Sequence, residues 1–396
     1  MKCWIMRMES GKIEMERNDG AAQRNASLDV FRGLMIFTMM LVDAPPDFQA
    51  IYPILVHSPW EGLTIADLAF PGFVFSMGAS AAFSVGRKPH YGWREWSGKI
   101  LRRGILLFFI GVLFNGLYGL FAWLLVDGYG AAAFYDQAVS HGRVFGVLQR
   151  LALIYMAGMV LLLLLKKERY LLLTAFFLLG ISSAGFHFYA PEEPFRQAGN
   201  ISQAIDLIFP GADHVYSHNG IPFDPEGLYG TVAGTASMLF GVLGGRLLAE
   251  HRDGGLLLGG VLLLLAGAGW SAIDPISKPL WTSPYALLNA GADMLALAAC
   301  SLALGTLPSV KTFFRPFCAF GRNPIFFYLA TNAGLIFLWT LPSPDGIVPA
   351  YPWIWQQTLR GTVSEAFSAA LYAFLWCLIW WPLAEFFRRR GIVFRI

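Results

Sequence analysis

Long apolar runs separated by short polar segments dominate the chain. An α-helix needs about 20 predominantly apolar residues to cross a bilayer, and ten of these runs approach that length. They occupy residues 28–43, 64–86, 101–126, 144–165, 170–189, 229–249, 254–272, 284–306, 321–341 and 361–387. The pattern predicts an all-α, polytopic integral membrane protein with about ten transmembrane helices.

Basic residues indicate how these helices are oriented. All but five of the 29 lysines and arginines lie at or before the first run, in or beside the connections after the second, fourth, sixth and eighth runs, or at the C-terminal end. The exceptions are Arg143, Arg150, Arg196, Lys278 and Arg360. Since cytoplasmic loops carry the excess of Lys and Arg, both termini are predicted to be cytoplasmic. Residues 1–26 are then a polar cytoplasmic tail, and residues 27–396 form one transmembrane domain.

Composition supports a membrane protein and argues against several partners. Hydrophobic residues make up 56% of the chain and charged residues only 14%, with a formal net charge of +3. That charge is too small to suggest nucleic acid as a partner. Cys3, Cys300, Cys318 and Cys377 lack the paired spacing of a zinc site or a disulfide framework. We therefore expect no metal.

Ionisable residues at the inner end of the bundle have two interpretations each. Asp29 and Arg32 in "SLDVFRG" fit a helix start with a snorkelling arginine, or a cytoplasmic site for an anionic ligand. Arg102 and Arg103 end the basic, aromatic segment "RKPHYGWREWSGKILRR". They either contact lipid headgroups or hold the phosphates of a nucleotide-like ligand.

Polar residues at the outer end surround a histidine. His57 follows the first run on a short loop, with Asp43, Trp60, Glu61 and Asp67 nearby in sequence. A histidine can act as acid, base or acyl carrier, and Asp43 could fix its tautomer. The alternative interpretation is an interfacial hydrogen-bonding residue, and the spacing does not decide between them.

Other polar residues lie at the same outer end. Asp224 and Glu226 in "FDPEGLYGT" either favour a helix N-terminus or bind a cationic or hydroxyl-rich molecule. Lys278 and Trp281 lie in "SKPLWTSPY", where an interfacial aromatic belt accounts for the tryptophan. Arg150 lies several residues inside the fourth run. It is expected either to pair with Asp293 of the eighth run or to line a cavity.

Six motifs in this order resemble one known family. "SLDVFRG", "HSPWEGLTIADLAFPGFVFSMG", "GVLQRLALIY", "DPEGLYGTVAG", "LWTSPYALLNAG" and "FGRNPIFFY" are similar to the heparan-α-glucosaminide N-acetyltransferase family, over roughly residues 24–395. The resemblance implies that acetyl from cytosolic acetyl-CoA passes to the amine of a terminal glucosamine across the membrane. It also implies that His57 is the active-site residue. The family often has Asn where this chain has Asp43.

The resemblance assigns expected roles to the residues above. His57 and Asp43 are the expected catalytic residues, with His57 as general base or acyl carrier. Arg32, Arg102 and Arg103 are expected to bind acetyl-CoA. The expected residues for a carbohydrate acceptor are Trp60, Asp67, Arg150, Asp224, Glu226, Lys278 and Trp281. The extracytoplasmic N-terminal domain of the animal enzymes has no counterpart here, so we expect a multi-pass protein of a bacterial inner membrane. A homo-oligomer is expected only by family analogy.

Rival functions remain open at this point. The same chemistry on a hydroxyl would be O-acetylation of a surface polysaccharide or glycolipid. A sugar or solute transporter would instead use Arg150 and Asp293 to line its path. A membrane scaffold would have neither activity.

Overall fold

The fold is known from a computed structural model, which describes residues 25–218, 220–306 and 310–394. Most of the predicted polar tail, with Cys3, lies outside the described residues. The helices are α1 (Ala26–Asp43), α2 (Ala69–Gly86), α3 (Trp93–Asn115), α4 (Leu117–Leu125), α5 (Ala131–Tyr135), α6 (Val147–Leu165), α7 (Glu168–Tyr189), α8 (Ile201–Ile208), α9 (Gly230–Ala249), α10 (Asp253–Trp270), α11 (Ser283–Thr306), α12 (Val310–Phe313), α13 (Arg315–Gly321), α14 (Pro324–Thr340), α15 (Ala350–Thr358) and α16 (Glu365–Arg390). Strands β1 (Ser217–His218) and β2 (Ile221–Pro222) form a small antiparallel hairpin.

The predicted all-α, polytopic membrane fold is confirmed. Within the described residues, eight helical segments are long and apolar enough to cross a membrane. The other two predicted runs correspond to α14, which is a shorter apolar helix, and to α1, which carries Asp29, Arg32 and Asp43. The cytoplasmic placement of both termini remains a prediction, as does the domain division at residue 27.

The third helix begins earlier than predicted. The apolar run starts at residue 101, whereas α3 starts at Trp93. Arginine and lysine are good helix formers, so the basic segment before the run continues the helix. Residues 127–146 and 190–229 also contain short helices that the apolar pattern does not mark.

Glycines in two motifs allow the closest helix contact near the chain start. A side chain at Gly33 of α1 would place its Cβ 1.7 Å from the carbonyl oxygen of Phe317 in α13. A Cβ at Gly321 of α13 would lie 1.7 Å from the carbonyl oxygen of Asp29. Small residues let membrane helices approach to backbone contact. The glycines of "FRG" and "FGRNP" are therefore required by packing.

The bundle has two ends, named here by a residue at each. The Arg32 end contains the start of α1, and the His57 end contains the end of α1 with the loop that follows it. The 18 residues of α1 span about 27 Å at 1.5 Å per residue. Short connections return the chain, so α2, α6, α9 and α11 all begin at the His57 end.

Candidate functional site

His57, Asp67 and Lys278 form a compact polar cluster at the His57 end. His57 Nδ1 lies 2.9 Å from Asp67 Oδ1. Lys278 Nζ lies 2.9 Å from Nδ1 and 3.0 Å from Nε2 of the same ring, and 3.7 Å from Asp67 Oδ1. The Asp67 side chain is fully buried, whereas the His57 side chain is 42% exposed. The cluster therefore joins a buried charge to an accessible imidazole.

The loop before α2 holds the Asp67 carboxylate in place. Its Oδ2 atom accepts hydrogen bonds from the backbone N–H of Ser58 at 3.2 Å and of Thr64 at 3.0 Å. It also accepts from the Ser58 hydroxyl at 2.9 Å and the Thr64 hydroxyl at 3.1 Å. Tyr285 of α11 donates to the Asp67 carbonyl oxygen at 2.8 Å. These donors fix the carboxylate and leave Oδ1 directed at His57 and Lys278.

Lys278 comes from the loop between α10 and α11. Gly62 donates its backbone N–H to the Ile276 carbonyl oxygen at 2.8 Å, which joins this loop to the one that carries His57. Burial lowers the pKa of Lys278, while the charges of Asp67, Glu226 and Asp43 oppose that shift. Lys278 therefore loses its proton more readily than a lysine in water.

Asp43 does not make the expected contact with the histidine ring. The carboxylate at the ring is Asp67, ten residues after His57, because the loop folds back over the start of α2. Asp43 Oδ2 accepts from Asn332 Nδ2 at 3.4 Å, and its interaction with His57 is electrostatic. Asp43 thus contributes charge near the cluster without orienting the ring.

Asp224 and Glu226 are both bound by Arg143, which the sequence did not single out as a site residue. Arg143 Nε and Nη2 donate to the two Asp224 carboxylate oxygens at 2.9 and 2.6 Å, and Nη2 also donates to Glu226. Burial raises the pKa of the Asp224 carboxyl, but Arg143 outweighs burial and the net shift is downward. The two acids predicted to bind an acceptor therefore share one internal cation, which leaves the group with a formal charge of −1.

Asp206 of α8 lies beside this network. Burial and the nearby Asp224 charge raise the pKa of Asp206 to about 7 from 3.8. A carboxyl whose pKa is raised in the folded state favours folding below its unfolded pKa. That contribution is lost as the pH rises towards the folded value.

Replacement of Asp206 by Asn should remove this dependence. At pH 8 we expect Asp206→Asn to be more stable than the wild type by on the order of 2 kcal/mol, because a buried charge beside Asp224 is removed. The difference should shrink as the pH falls from 7 towards 4. Thermal unfolding in detergent at several pH values measures it. Equal stability of the two proteins at pH 8 would contradict the assignment.

Arg150 is buried but does not pair with Asp293. Its Nη2 atom donates to the Gly227 carbonyl oxygen at 2.9 Å, and its guanidinium lies 5.1 Å from the centre of the Trp281 ring. A Cβ at Gly230 would lie 2.2 Å from Arg150 Nη2. Two glycines of "DPEGLYG" therefore accommodate Arg150. Gly227 accepts its hydrogen bond, and Gly230 lacks the side chain that would clash with the guanidinium. The predicted pairing of Arg150 with Asp293 is wrong, because the guanidinium donates to the Gly227 carbonyl oxygen instead.

Trp281 packs inside the bundle against Arg150, Phe70 and Tyr285, not in an interfacial belt. Its side chain is fully buried, and its Nε1 donates to the Ser237 hydroxyl at 3.2 Å. Its φ of 51° is in the left-handed region, which costs energy for a non-glycine residue and is found preferentially at functional sites. Burial excludes direct contact between Trp281 and a bound molecule in this conformation.

Trp60 lines an open groove of about 490 Å³ at the His57 end. Its indole Nε1 donates to the Phe195 carbonyl oxygen at 2.9 Å, which fixes the loop of residues 190–200 against the His57 loop. Of the residues predicted to bind an acceptor, Trp60 and Lys278 are partly exposed at this end, whereas Asp67 is buried beneath His57.

A second, smaller cavity lies at the Arg32 end. It measures about 150 Å³ and is lined by Asn25, Leu28, Asp29, Arg32, Ser80, Phe83 and Arg87. Arg32 pairs with Asp29 in the wall of this cavity. Arg103 instead lies 4.6 Å from the Tyr155 ring centre, and Arg102 is exposed on α3. The cavity thus contains one predicted arginine, Arg32, and one that was not predicted, Arg87.

Comparisons with known proteins find one family model and two relatives that are similar to this chain. Residues 24–193 match the family model described as heparan-alpha-glucosaminide N-acetyltransferase, catalytic. The mouse heparan-alpha-glucosaminide N-acetyltransferase is 27% identical over 341 residues, which cover 70% of this chain and 48% of the relative. The human protein of the same name is 28% identical over 279 residues, covering 58% and 39% respectively. The chain spans less than half of the length of these relatives.

The matched region includes the residues at the centre of the site. His57, Asp67, Arg143 and Arg150 lie inside residues 24–193, whereas Lys278 lies outside them. The comparisons confirm the family resemblance predicted from the sequence: this is a membrane protein similar to the heparan-alpha-glucosaminide N-acetyltransferases.

Proposed function

We propose that the chain is a membrane acyltransferase, which passes an acetyl group from acetyl-CoA to the amine of a sugar acceptor. Acetyl-CoA binds at the Arg32 end, and the acceptor binds at the His57 end. The observation that carries this proposal is the His57–Asp67–Lys278 cluster, whose first two members lie in the region similar to the catalytic part of the family.

The hydrogen bond to Asp67 prepares His57 for this chemistry. With Nδ1–H donating to Asp67 Oδ1 at 2.9 Å, the neutral imidazole has its lone pair on Nε2. The Lys278 nitrogen lies 3.0 Å from Nε2, which is the distance a general base needs to reach the proton of an amine. Lys278 occupies this position in the structure, so its side chain must move aside before the acceptor amine reaches Nε2.

Two routes use the same nitrogen atom. In direct transfer, the acceptor amine attacks the thioester carbonyl while Nε2 takes the amine proton. The C–S bond breaks, the sulfur is protonated and free CoA leaves. In the covalent route, Nε2 itself attacks the carbonyl, the C–S bond breaks, and CoA leaves with a proton on its sulfur. The amine then attacks the acetyl carbon, the bond from that carbon to Nε2 breaks, and the freed Nε2 takes the amine proton. A burst of free CoA before acceptor is added distinguishes the covalent route from the direct one.

Lys278 has a role in either route. Its ammonium lies at the ring edge where the thioester must approach, so it can stabilise the negative oxygen that forms on the attacked carbonyl. Its lowered pKa also makes it a better proton donor to the departing sulfur. The sequence reasoning treated Lys278 as an acceptor ligand, and its position beside Nε2 favours a role in the chemistry itself.

The cavity at the Arg32 end has a positive lining that suits a phosphate of the donor, because Asp29 offsets only one of its two arginines. Arg32 and Arg87 both line it, and guanidinium groups bind phosphate through paired N–H donors. The α1 helix between the two ends is about 27 Å long. A donor with phosphates at one end must therefore extend its thioester arm through the bundle towards His57.

An assay with purified protein tests the proposal. Acetyl-CoA is supplied with glucosamine or with glucose, which lacks the amine, and both free CoA and acetylated sugar are measured. We expect both products with glucosamine and neither with glucose, because the His57 site accepts an amine proton. Acetylation of glucose at the same rate would favour O-acetylation. Absence of transfer to any sugar would overturn the proposed function.

A further inference from the structure

The open groove beside His57 is built from residues that the acyl-transfer chemistry does not use, on the loops that carry His57 and Lys278 and on the loop of residues 190–200. Its walls are formed by Trp60, Glu61, Glu193, Phe195, Arg196 and Gln197. The Trp60–Phe195 hydrogen bond ties the loops together, and Trp60 packs edge-to-face on the buried Phe223 ring at 5.1 Å. The walls of this shallow, open groove are therefore held in place by packing and hydrogen bonding.

The groove lies close to the reacting site. Trp60 is three residues after His57, and Pro275, which also lines the groove, is three residues before Lys278. Three residues of chain span at most about 11 Å. A molecule whose amine lies at His57 therefore reaches the groove with its next chemical unit.

The side chains of the groove indicate what that unit is. An aromatic ring with a few polar groups is the usual lining of a small-molecule site, and flat rings also suit the apolar face of a sugar. Arg196 pairs with Glu193 at 2.9 Å, so Glu61 leaves the groove with a formal charge of −1. Charge complementarity disfavours a carboxylated or sulfated sugar there.

We propose that the groove binds the second sugar of an oligosaccharide acceptor, and that this sugar is uncharged or carries an amine. The inference rests on the proposed function, since it places the amine of the terminal sugar at His57. Glu61 is the residue that selects against an acidic second sugar.

Binding measurements on the purified protein test this inference without requiring turnover. Isothermal titration compares glucosamine, a disaccharide of two glucosamines, and glucosamine linked to glucuronate. We expect the glucosamine disaccharide to bind about tenfold more tightly than glucosamine, the effect of one hydrogen bond to a charged group. The glucuronate disaccharide should show no such gain.

Substitutions in the groove identify which side chains cause the tighter binding of the glucosamine disaccharide. In Glu61→Gln, the ratio of the dissociation constant of glucosamine to that of the glucosamine disaccharide should fall from about ten to about one. Glu193→Gln, which breaks the pair with Arg196, is a second groove variant and should reduce the same ratio. Glu192→Gln is the matched control, because Glu192 is exposed on the same loop but does not line the groove. The control should retain the full ratio.

The outcomes separate this inference from the proposed function. Equal binding of glucosamine and its disaccharide, or a gain that survives in both groove variants, overturns the groove assignment even if acetyl transfer occurs. Equally tight binding of the glucuronate disaccharide overturns the charge preference. A gain in binding without any acetyl transfer instead overturns the proposed function and leaves the groove as a sugar site.

Discussion

Replacement of His57 by Ala is expected to lower kcat for acetyl transfer by about 10²- to 10⁴-fold, the usual contribution of a general base. If the acetyl group is carried on the ring, the loss should be larger, since no other group in the cluster has the same nucleophilic position. Release of free CoA and formation of acetylated glucosamine measure it. The variant should lose little thermal stability, because Ser58, Thr64 and Lys278 still hold the buried Asp67 carboxylate.

His187 provides a matched control for this variant. It lies in the last turn of α7, is 40% exposed like the partly exposed His57, and places Nε2 2.9 Å from the buried carboxylate of Asp274. Nothing in the proposed reaction uses it, so His187→Ala should transfer acetyl at the wild-type rate. Equal losses in the two variants, or full activity of His57→Ala, would contradict the role assigned to His57.

Replacement of Arg143 by Gln should destabilise the protein by about 3 kcal/mol, because it leaves the buried Asp224 carboxylate without its partner. Asp224 is fully buried, and Arg143 is 28% exposed. Denaturant unfolding in detergent measures the change. The double variant with Asp224→Asn should recover part of the loss, because the unpaired charge is then also removed.

An exposed ion pair gives the comparison for this stability change. Arg360 pairs with Glu365 at 2.9 Å, with the two side chains 47% and 55% exposed. Exposed pairs contribute about 0–1 kcal/mol, so Arg360→Gln should have little effect. A loss in Arg143→Gln no greater than in Arg360→Gln would mean that the Arg143 network does not stabilise this end of the bundle.

The sequence predicted the helices well because bilayer thickness sets their length. Apolar runs of about 20 residues recur regardless of how the helices pack, so the ten predicted runs correspond to helices. The start of α3 at Trp93 was missed because polar residues can continue a helix beyond the apolar run. Short helices such as α8 were missed because no long apolar run marks them.

The site was predicted less completely because its contacts join distant segments. Asp67, rather than Asp43, orients His57, and only the fold of the intervening loop decides which carboxylate is nearer. Arg143 and Asp224 are 81 residues apart, and no local pattern connects them. The sequence did contain a signal. Arg143 is one of five basic residues on the predicted outer side, where basic residues are uncommon and a specific partner is expected.

The groove was missed because its residues follow neither a helical nor a strand pattern. Glu193, Phe195 and Arg196 lie in a Pro-rich loop that joins α7 to α8, and their contacts with the His57 loop depend on the Trp60–Phe195 hydrogen bond. The motif glycines, in contrast, are visible in the sequence. Their meaning depends on the structure, as with Gly230, which leaves space for Arg150.

The central claim is that acetyl passes from one end of the bundle to the other. The most direct test places the protein in sealed vesicles, with its orientation fixed by protease access to the exposed loops, and supplies labelled acetyl-CoA and glucosamine on opposite sides. The account predicts labelled acetylglucosamine only when acetyl-CoA faces the Arg32 end and glucosamine faces the His57 end. Formation of product only when both substrates are on the same side would contradict it.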